Sequence, residues 1–183
     1  MQWIIPGTTL TDQRESADDI ENLFRPLFLA GGLTLSQVSS ITGLEPYTIQ
    51  NWVKRKFLAP PQGKRYDMEQ VCRLININIL KGNMPLEEII HLMRYLNGDL
   101  TSEADDLVDD TMLFFLFVRL AARARYIGGS KAWDDALVEI TESYREPVPG
   151  AREKLIKVLK IMLTVWCANK LKEQAETMIA QLS

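Results

Sequence analysis

Amide and basic side chains are concentrated in one stretch of this sequence, from Glu45 to Tyr66. An Asn or Gln side chain offers a donor and an acceptor together, which matches adenine in the DNA major groove, while Lys and Arg pair with phosphate oxygens. Five basic residues against one acidic residue leave this stretch at +4, although the 183-residue chain carries −3. Residues 99–110 hold six acidic residues and no basic one. We therefore predict a basic DNA-binding module on an acidic body.

Helical periodicity separates two faces in the segment that begins at Pro46. Because successive residues are rotated by about 100°, Ile49, Trp52 and Val53 gather on one side, where they can pack. The opposite side presents hydrogen-bonding and basic groups, namely Tyr47, Gln50, Asn51 and Lys54, with Arg55 beside them. We expect this side to enter the major groove of double-stranded DNA. A solvated polar face on a small helical core is the alternative interpretation of the same pattern.

A turn with two further cations follows this segment. Prolines at 60–61 exclude a helix, and Gly63 precedes a short stretch, 64–66, that can form a strand. Lys64 and Arg65 would then lie beside the recognition helix, where they could reach a flanking phosphate or the minor groove. This arrangement is typical of the wing in a winged helix-turn-helix.

Short helices separated by turn signals predict that this module occupies residues 33–97. Four helices are expected, at 36–42, at 46–56, at 68–81 and from Pro85 onward. Gly43 ends the first of them, because glycine tolerates the left-handed conformation at a helix end. The apolar wedge between the first two helices consists of Leu35, Val38, Ile41, Leu44, Ile49 and Val53.

The rest of the chain is predicted to be helical as well. Residues 1–32 form a lead-in with a short helix from about Ala17, capped by Ser16 and interrupted at Pro26. Residues 98–105 have the composition of a linker. A C-terminal helical domain, 105–183, should contain three helices at about 105–127, 130–144 and 151–181. The predicted fold class is all-α with a small β wing.

The stretch from Leu35 to Leu96 resembles the MerR family of transcription regulators. The matching motifs are Thr48-Ile49-Gln50-Asn51-Trp52, then Lys64-Arg65-Tyr66, then Gly82 and Leu86-Glu87-Glu88-Ile89. Together with Val53, Lys54 and Ile79-Leu80-Lys81, these motifs are still more similar to an uncharacterised, domain-of-unknown-function family of Gram-positive bacteria that is itself regarded as MerR-like. The resemblance implies a DNA-binding transcriptional regulator and adds Thr48, Trp52 and Tyr66 to the candidate contacts.

Three positions depart from the MerR pattern. Gln50 stands where MerR proteins usually carry an arginine that contacts DNA, and Trp52 replaces a tyrosine that touches phosphate. The Trp52 indole N–H remains a possible donor, but the ring is equally suited to the core. Lys56 replaces the usual glycine. The overall acidity and the loss of the arginine leave a second interpretation open, a helix-turn-helix module that binds another protein without binding DNA.

The C-terminal half contains helices that are apolar on more than one face. Residues 112–118 are apolar around nearly the whole helix, and residues 155–166 form a broad apolar face. Such helices must be enclosed by protein, either by the N-terminal segment that contains Phe24, Leu27 and Phe28 or by a second subunit. We predict a homodimer, as in MerR relatives, through a globular helical interface and not a narrow two-stranded seam.

A small apolar effector could lie among the aromatic residues of this half. The candidate lining is Phe114, Phe117, Tyr126, Trp133 and Trp166. Simple core filling is the alternative, since aromatic residues at helical spacing usually pack in the core.

The sequence lacks the residue sets that most enzymes and metal proteins need. Cys72, Cys167 and His91 are isolated, and no nucleophile–base pair or phosphate loop is visible. We therefore predict no enzymatic activity, no cofactor and no metal site. The longest apolar run, 112–118, is far shorter than the ~20 residues of a membrane helix, and no signal peptide is apparent, so a cytoplasmic protein is expected.

Overall fold

The computed structural model describes residues 3–12, 19–100, 105–124 and 130–182. Its α-helices are α1 (Ile20–Phe24), α2 (Leu35–Thr42), α3 (Pro46–Lys54), α4 (Met68–Leu80), α5 (Leu86–Asn97), α6 (Asp110–Ala124), α7 (Ser130–Ile140) and α8 (Ala151–Ala180). Four strands of two residues each form two antiparallel pairs, β1 (Trp3–Ile4) with β2 (Thr11–Asp12) and β3 (Leu33–Thr34) with β4 (Arg65–Tyr66). The predicted mainly helical fold with very little strand is confirmed.

Local signals explain the boundaries of α2 and α3. Thr34 and Gln37 form a reciprocal capping box at the start of α2, and Gly43 ends this helix with a φ of 68°. Pro46 occupies the first turn of α3, where a missing N–H costs nothing. Strand β3 has no counterpart in the sequence prediction, because two residues are too few for an alternating pattern.

Helix α4 lies at the centre of the molecule. Ten of its residues are buried, including Arg73 and Asn76, and it packs against α2, α5, α6 and α8. Its first turn also supports the loop before β4, because the Gln70 side-chain amide donates to the carbonyls of Ala59 (3.0 Å) and Pro60 (3.1 Å). One hydrophobic core therefore extends through both halves of the chain.

Helix α6 is enclosed by its own chain. Phe24 of α1 meets Phe114 edge-on at 5.0 Å between ring centroids and Phe115 at 6.1 Å, while Phe117 meets Trp166 of α8 at 6.3 Å. The N-terminal segment, one of the two covers considered for this helix, therefore packs on it through Phe24, while Met112 remains 40 % exposed. Leu27 remains partly exposed and contributes less.

Several predicted boundaries shift in the structure. Helix α6 begins at Asp110 instead of near 105, because the segment 105–109 contacts α4 and α5. For example, the side-chain amide of Asn97 in α5 donates to the carbonyl of Val108 at 2.7 Å. Pro26 turns the end of α1 into a 3-10 segment, Arg25–Phe28. Predictions for Ser16, Ala17 and the linker positions 101–104 lie outside the described residues.

Candidate nucleic-acid interface

The two faces predicted for α3 are present. Ile49 is fully buried, whereas Gln50 and Asn51 are exposed and Tyr47 is 71 % exposed. Thr48 lies between the two faces and is half-buried. The helix therefore offers amide and phenol groups to solvent from a backbone anchored in the core.

Two of the candidate contacts are core residues in this structure. Trp52 is 4 % exposed and Tyr66 is 3 % exposed, and burial raises the pKa of the Tyr66 hydroxyl. Trp52 thus takes the packing role that the sequence left open for it. Tyr66 is buried because β4 pairs with β3, which turns its ring towards the core. Neither ring lies on the exposed face of α3 or of the loop before β4.

Helix α3 ends in a Schellman motif, a backbone arrangement with a left-handed residue just after the helix. The N–H of Phe57 donates to the carbonyl of Trp52 and that of Lys56 to Val53, both at 3.0 Å. Lys56, which follows the capping residue, has a φ of 60°. Glycine usually takes this position because a side chain there is strained.

A second lysine takes a left-handed conformation in the turn before β4. The N–H of Arg65 donates to the carbonyl of Gln62 at 2.9 Å, and the two central residues, Gly63 and Lys64, have φ values of 54° and 62°. Positive φ at both central positions is typical of a type I′ turn, in which Gly dominates the second of them. Lys64 occupies that second position.

The exposed cations differ in their partners. Lys54, Lys56 and Lys64 are exposed and make no ion pair with any residue that the structure describes. Arg55, in contrast, pairs with Glu87 of α5 at 3.2 Å and lies 4.5 Å above the ring of Phe57. The three lysines are therefore free to meet an external anion, whereas Arg55 would first have to leave Glu87.

Arg65 ties the loop before β4 to the turn before β3. Its guanidinium donates to the carbonyl of Gly32 at 2.8 Å. Gly32 has a φ of 92°, and a Cβ there would lie 2.6 Å from the carbonyl oxygen of Tyr66. Glycine is thus required for the two strands to approach, and the loop before β4 is anchored to the turn before β3.

A small open groove lies between α3 and this loop. Leu35, Val53, Pro61 and Tyr66 form its apolar lining, and Gln50 and Lys64 complete it, around a volume of about 420 Å³. The structure thus brings together a polar residue of α3 and a cation of the loop, as the sequence predicted. It also reveals apolar surface between them.

A buried ion cluster lies elsewhere in the molecule, between α4 and the start of α6. Arg73 donates to the Asp110 carboxylate at 2.6 Å and to the carbonyl of Leu100, and the Asn76 amide also donates to Asp110. Glu69 accepts from the Thr111 hydroxyl at 2.8 Å and from the backbone N–H groups of Asp110 and Thr111, so that it caps α6.

Asp106 is the incompletely paired carboxylate of this cluster. Its carboxylate lies 3.7 Å from Arg73, and its side chain is 7 % exposed. Neither oxygen has a hydrogen-bond partner among the described residues. Burial raises the pKa of Asp106 to about 7. The positive charge of Arg73 opposes this increase, and the negative charges of Asp110 and Glu69 add to it.

Sequence reasoning missed this cluster. From the sequence, residues 99–110 are interpreted as part of an acidic body and a linker, although Arg73 and Asn76 fall among the apolar residues of a predicted helix. A basic residue on the buried side of a helix requires a partner. That requirement was the available signal, but only the fold identifies which carboxylates meet it.

The aromatic set proposed to line an effector cavity does not form one lining. Phe114 and Phe117 are fully buried core residues, Trp133 is half-buried, and Tyr126 lies outside the described residues. Phe117 and Trp166 fill the contact between α6 and α8, which is the core role that the sequence analysis gave as the alternative.

Comparison with known families assigns part of the chain. A family model described as "Domain of unknown function (DUF1836)" matches residues 31–111. The match to an uncharacterised family was predicted and is confirmed, and it spans α2, α3, β4 and every residue of the buried ion cluster. Neither curated proteins nor solved structures gave a match. In the described part of the chain, no helix combines the length and apolarity that a membrane span needs.

Proposed function

We propose that this protein is a sequence-specific, double-stranded DNA-binding transcriptional regulator of the MerR-like type that works as a homodimer. Helix α3 enters the major groove and presents Gln50 and Asn51 to base edges, with Tyr47 and Thr48 beside them. Lys54, Lys56 and Lys64 pair with the phosphates on either side. Base contacts then supply specificity, and the lysines supply most of the affinity.

The observation that carries this proposal is the backbone conformation of two lysines. Lys56 and Lys64 both have φ values near 60°, in a region where a side chain costs roughly 1 kcal/mol relative to glycine. Both are exposed and neither has an ion pair in the described part of the chain. Among the described residues, no ion pair of either lysine explains why a lysine and not a glycine stands there, so we attribute the two charges to an external anion.

The two strained lysines also flank the same helix. Lys56 follows the end of α3, and Lys64 lines the groove whose other wall includes Gln50 of α3. A phosphate backbone follows both edges of the major groove, so one cation at the end of an inserted helix and another beside it suit duplex DNA.

The second half of α8 supports a homodimer. Residues 170–182 are all exposed, and Ala168, Leu171, Ala175 and Met178 recur at the alternating three- and four-residue spacing of a coiled coil, with Leu182 just beyond the helix. The neighbouring Gln174 and Gln181 carry no charge and do not repel a second copy. The broad apolar face at 155–166, which was expected to form the interface, instead packs inside the same chain.

Titration with random-sequence duplex DNA tests the proposal. We expect weak binding that falls steeply with salt, and a double variant, Lys56→Gly with Lys64→Gly, that lowers the salt slope by about 2. The same variant should be more stable to urea than the wild type. Loss of affinity together with a gain in stability separates a binding role from damage to the fold.

Two further variants make this test specific. Lys56→Gln with Lys64→Gln keeps the strain and removes the charge, so binding should fall without a gain in stability. Lys131→Gln, an exposed lysine on α7, should leave both unchanged. Absence of any salt-sensitive DNA binding at low ionic strength would exclude the proposal.

The groove between α3 and the loop before β4 favours a second candidate function, a protein-interaction module. Its apolar lining suits an apolar side chain of a protein partner, and the surrounding lysines suit an acidic one. Selection from a random duplex pool separates the two candidates. A recovered palindrome supports the dimeric DNA reader, whereas a pool without enrichment favours the protein-interaction module.

Sedimentation equilibrium tests the homodimer separately. Leu171→Glu with Met178→Glu should convert a dimer to a monomer while the helical signal in circular dichroism is retained. Val138→Glu is the matched control, because Val138 is an exposed apolar residue on α7. A wild-type monomer at all concentrations would remove the dimer from the proposal and leave DNA binding to be judged alone.

A further inference from the structure

A second groove lies at the end of α4 that is remote from the loop before β4. It has a volume of about 450 Å³, within the range of small-molecule sites. The segment of residues 4–8, the C-terminal end of α4 and one face of α8 form its walls. These walls come from three parts of the chain that are distant in sequence.

Hydrogen bonds and close packing hold the walls together. The Asn78 amide donates to the carbonyls of Gly7 (2.9 Å) and Thr42 (2.8 Å), and the Asn169 amide of α8 donates to the carbonyl of Ile79 at 3.0 Å. Gly7 has a φ of 72°, and a Cβ there would lie 2.7 Å from the Ile79 side chain. The groove is therefore built into the tertiary structure and not left by a loose loop.

The lining is apolar on one side and charged on the other. Ile4, Pro6, Ile79 and Trp166 contribute apolar surface, and Ile4 is 55 % exposed although it belongs to a paired strand. A ligand that covers this exposed isoleucine would be stabilised, because apolar surface would be removed from water.

The charged side has one cation in excess. Lys170 pairs with Glu173 at 2.7 Å, and Lys172 lies 4.0 Å from Glu176. Lys81 has no ion pair among the described residues. Lys81 lines the groove and remains exposed to solvent, and partial burial lowers the pKa of its ammonium group, so this cation is accessible to a ligand anion.

We propose that this groove binds a small organic carboxylate with an apolar body. The carboxylate pairs with Lys81, and the apolar body covers Ile4 and the edge of Trp166. The single negative charge of a carboxylate balances the single unpaired cation. No arginine, whose guanidinium binds phosphate through two parallel hydrogen bonds, is among the described residues that line the groove. This proposal is independent of DNA binding.

Calorimetry on the full chain tests the site with octanoate as the probe, octan-1-ol as its uncharged analogue and acetate as its compact one. We expect octanoate to bind at one per chain and at least about tenfold more tightly than octan-1-ol, a factor typical of one charge-assisted contact. Acetate, which cannot reach the apolar wall, should bind much more weakly than octanoate.

Variants assign the binding to this groove. Lys81→Gln should reduce octanoate affinity to the level of octan-1-ol and leave octan-1-ol unchanged, whereas Lys131→Gln should change neither. Ile4→Ser should weaken both ligands. Equal affinities for octanoate and octan-1-ol, or an unchanged octanoate affinity in Lys81→Gln, would overturn the proposal. Absence of octanoate binding at concentrations up to about 5 mM would also overturn it, because the dissociation constant would then exceed that value.

Discussion

Two groups of charges within residues 31–111 lie in opposite surroundings. Around α3, lysines point into solvent and have no ion pair within the described chain, and two of them hold a strained backbone. Between α4 and α6, Arg73 and its carboxylates are buried, and Arg73, Asp110 and Glu69 are hydrogen-bonded within the fold. Charged residues therefore serve two different purposes within residues 31–111. Unpaired surface charge is available to a ligand, whereas buried charge must be satisfied by the fold itself.

The largest effect is expected from removing the buried cation. Arg73→Met leaves Asp110 and Asp106 in the core without their guanidinium, and breaking a buried pair in this way costs about 3–5 kcal/mol. Urea denaturation at pH 7.5 measures the loss. Arg119→Met is the control, since Arg119 pairs with Glu21 at 3.1 Å in a partly exposed site and should cost about 0–1 kcal/mol. Equal losses in the two variants would show that the buried cluster is not special.

The next prediction concerns the incompletely paired carboxylate of this cluster. Because its pKa is raised from 3.8 to about 7, Asp106 binds more protons in the native state than in the unfolded state. Its contribution to stability is therefore fully present below pH 3.8 and is lost as the pH rises through 7.

Asp106→Asn tests this sign. The variant keeps a neutral side chain at every pH, so it should be more stable than the wild type at pH 8 and should show a smaller decline in stability between pH 5 and pH 8. Some decline remains, because burial also raises the pKa of Asp110 and of Glu69. Asp135→Asn, which changes an exposed carboxylate on α7, should preserve the decline. Chemical denaturation across this pH range supplies the measurement. A decline that persists unchanged in Asp106→Asn would assign the proton to another group.

A smaller effect is expected from the strained backbone after α3. Lys56→Gly should raise the free energy of unfolding by about 0.5–1 kcal/mol, because glycine adopts the left-handed conformation without strain. Lys54→Gly, two residues earlier and within the helix, should lower it by up to about 1 kcal/mol. Thermal or urea denaturation decides between these opposite signs, and a loss of stability in both variants would contradict the strain argument.

The smallest change in stability is expected at the exposed pair of Arg55 with Glu87. Glu87→Gln should leave the unfolding midpoint within experimental error, because an exposed pair is screened by solvent. If DNA binds at α3, the same variant should raise affinity a few-fold, since it frees Arg55 and removes a negative charge beside the helix. Glu142→Gln, an exposed carboxylate beyond the end of α7, serves as the control for net charge.

Helix positions and faces were largely predictable because their signals are local. The capping residues at Thr34 and Asp67, the stop at Gly43 and the start at Pro46 act within a few residues of the chain. The exposed set on α3 followed from periodicity alone, although Trp52 and Tyr66 lie in the core. The burial of Tyr66 was not predictable, because the direction of its side chain depends on pairing with Leu33, 33 residues away in sequence.

By itself, the sequence determined the mainly helical fold, the two faces of α3 and the local excess of positive charge beside it, since each depends on the order of neighbouring residues. Only the tertiary structure decided which carboxylates surround Arg73, that Phe24 covers α6, and that residues 4–8 meet α4 and α8 around Lys81. Those contacts join residues far apart in the chain, and their free energy depends on burial, which exists only when the whole core has assembled.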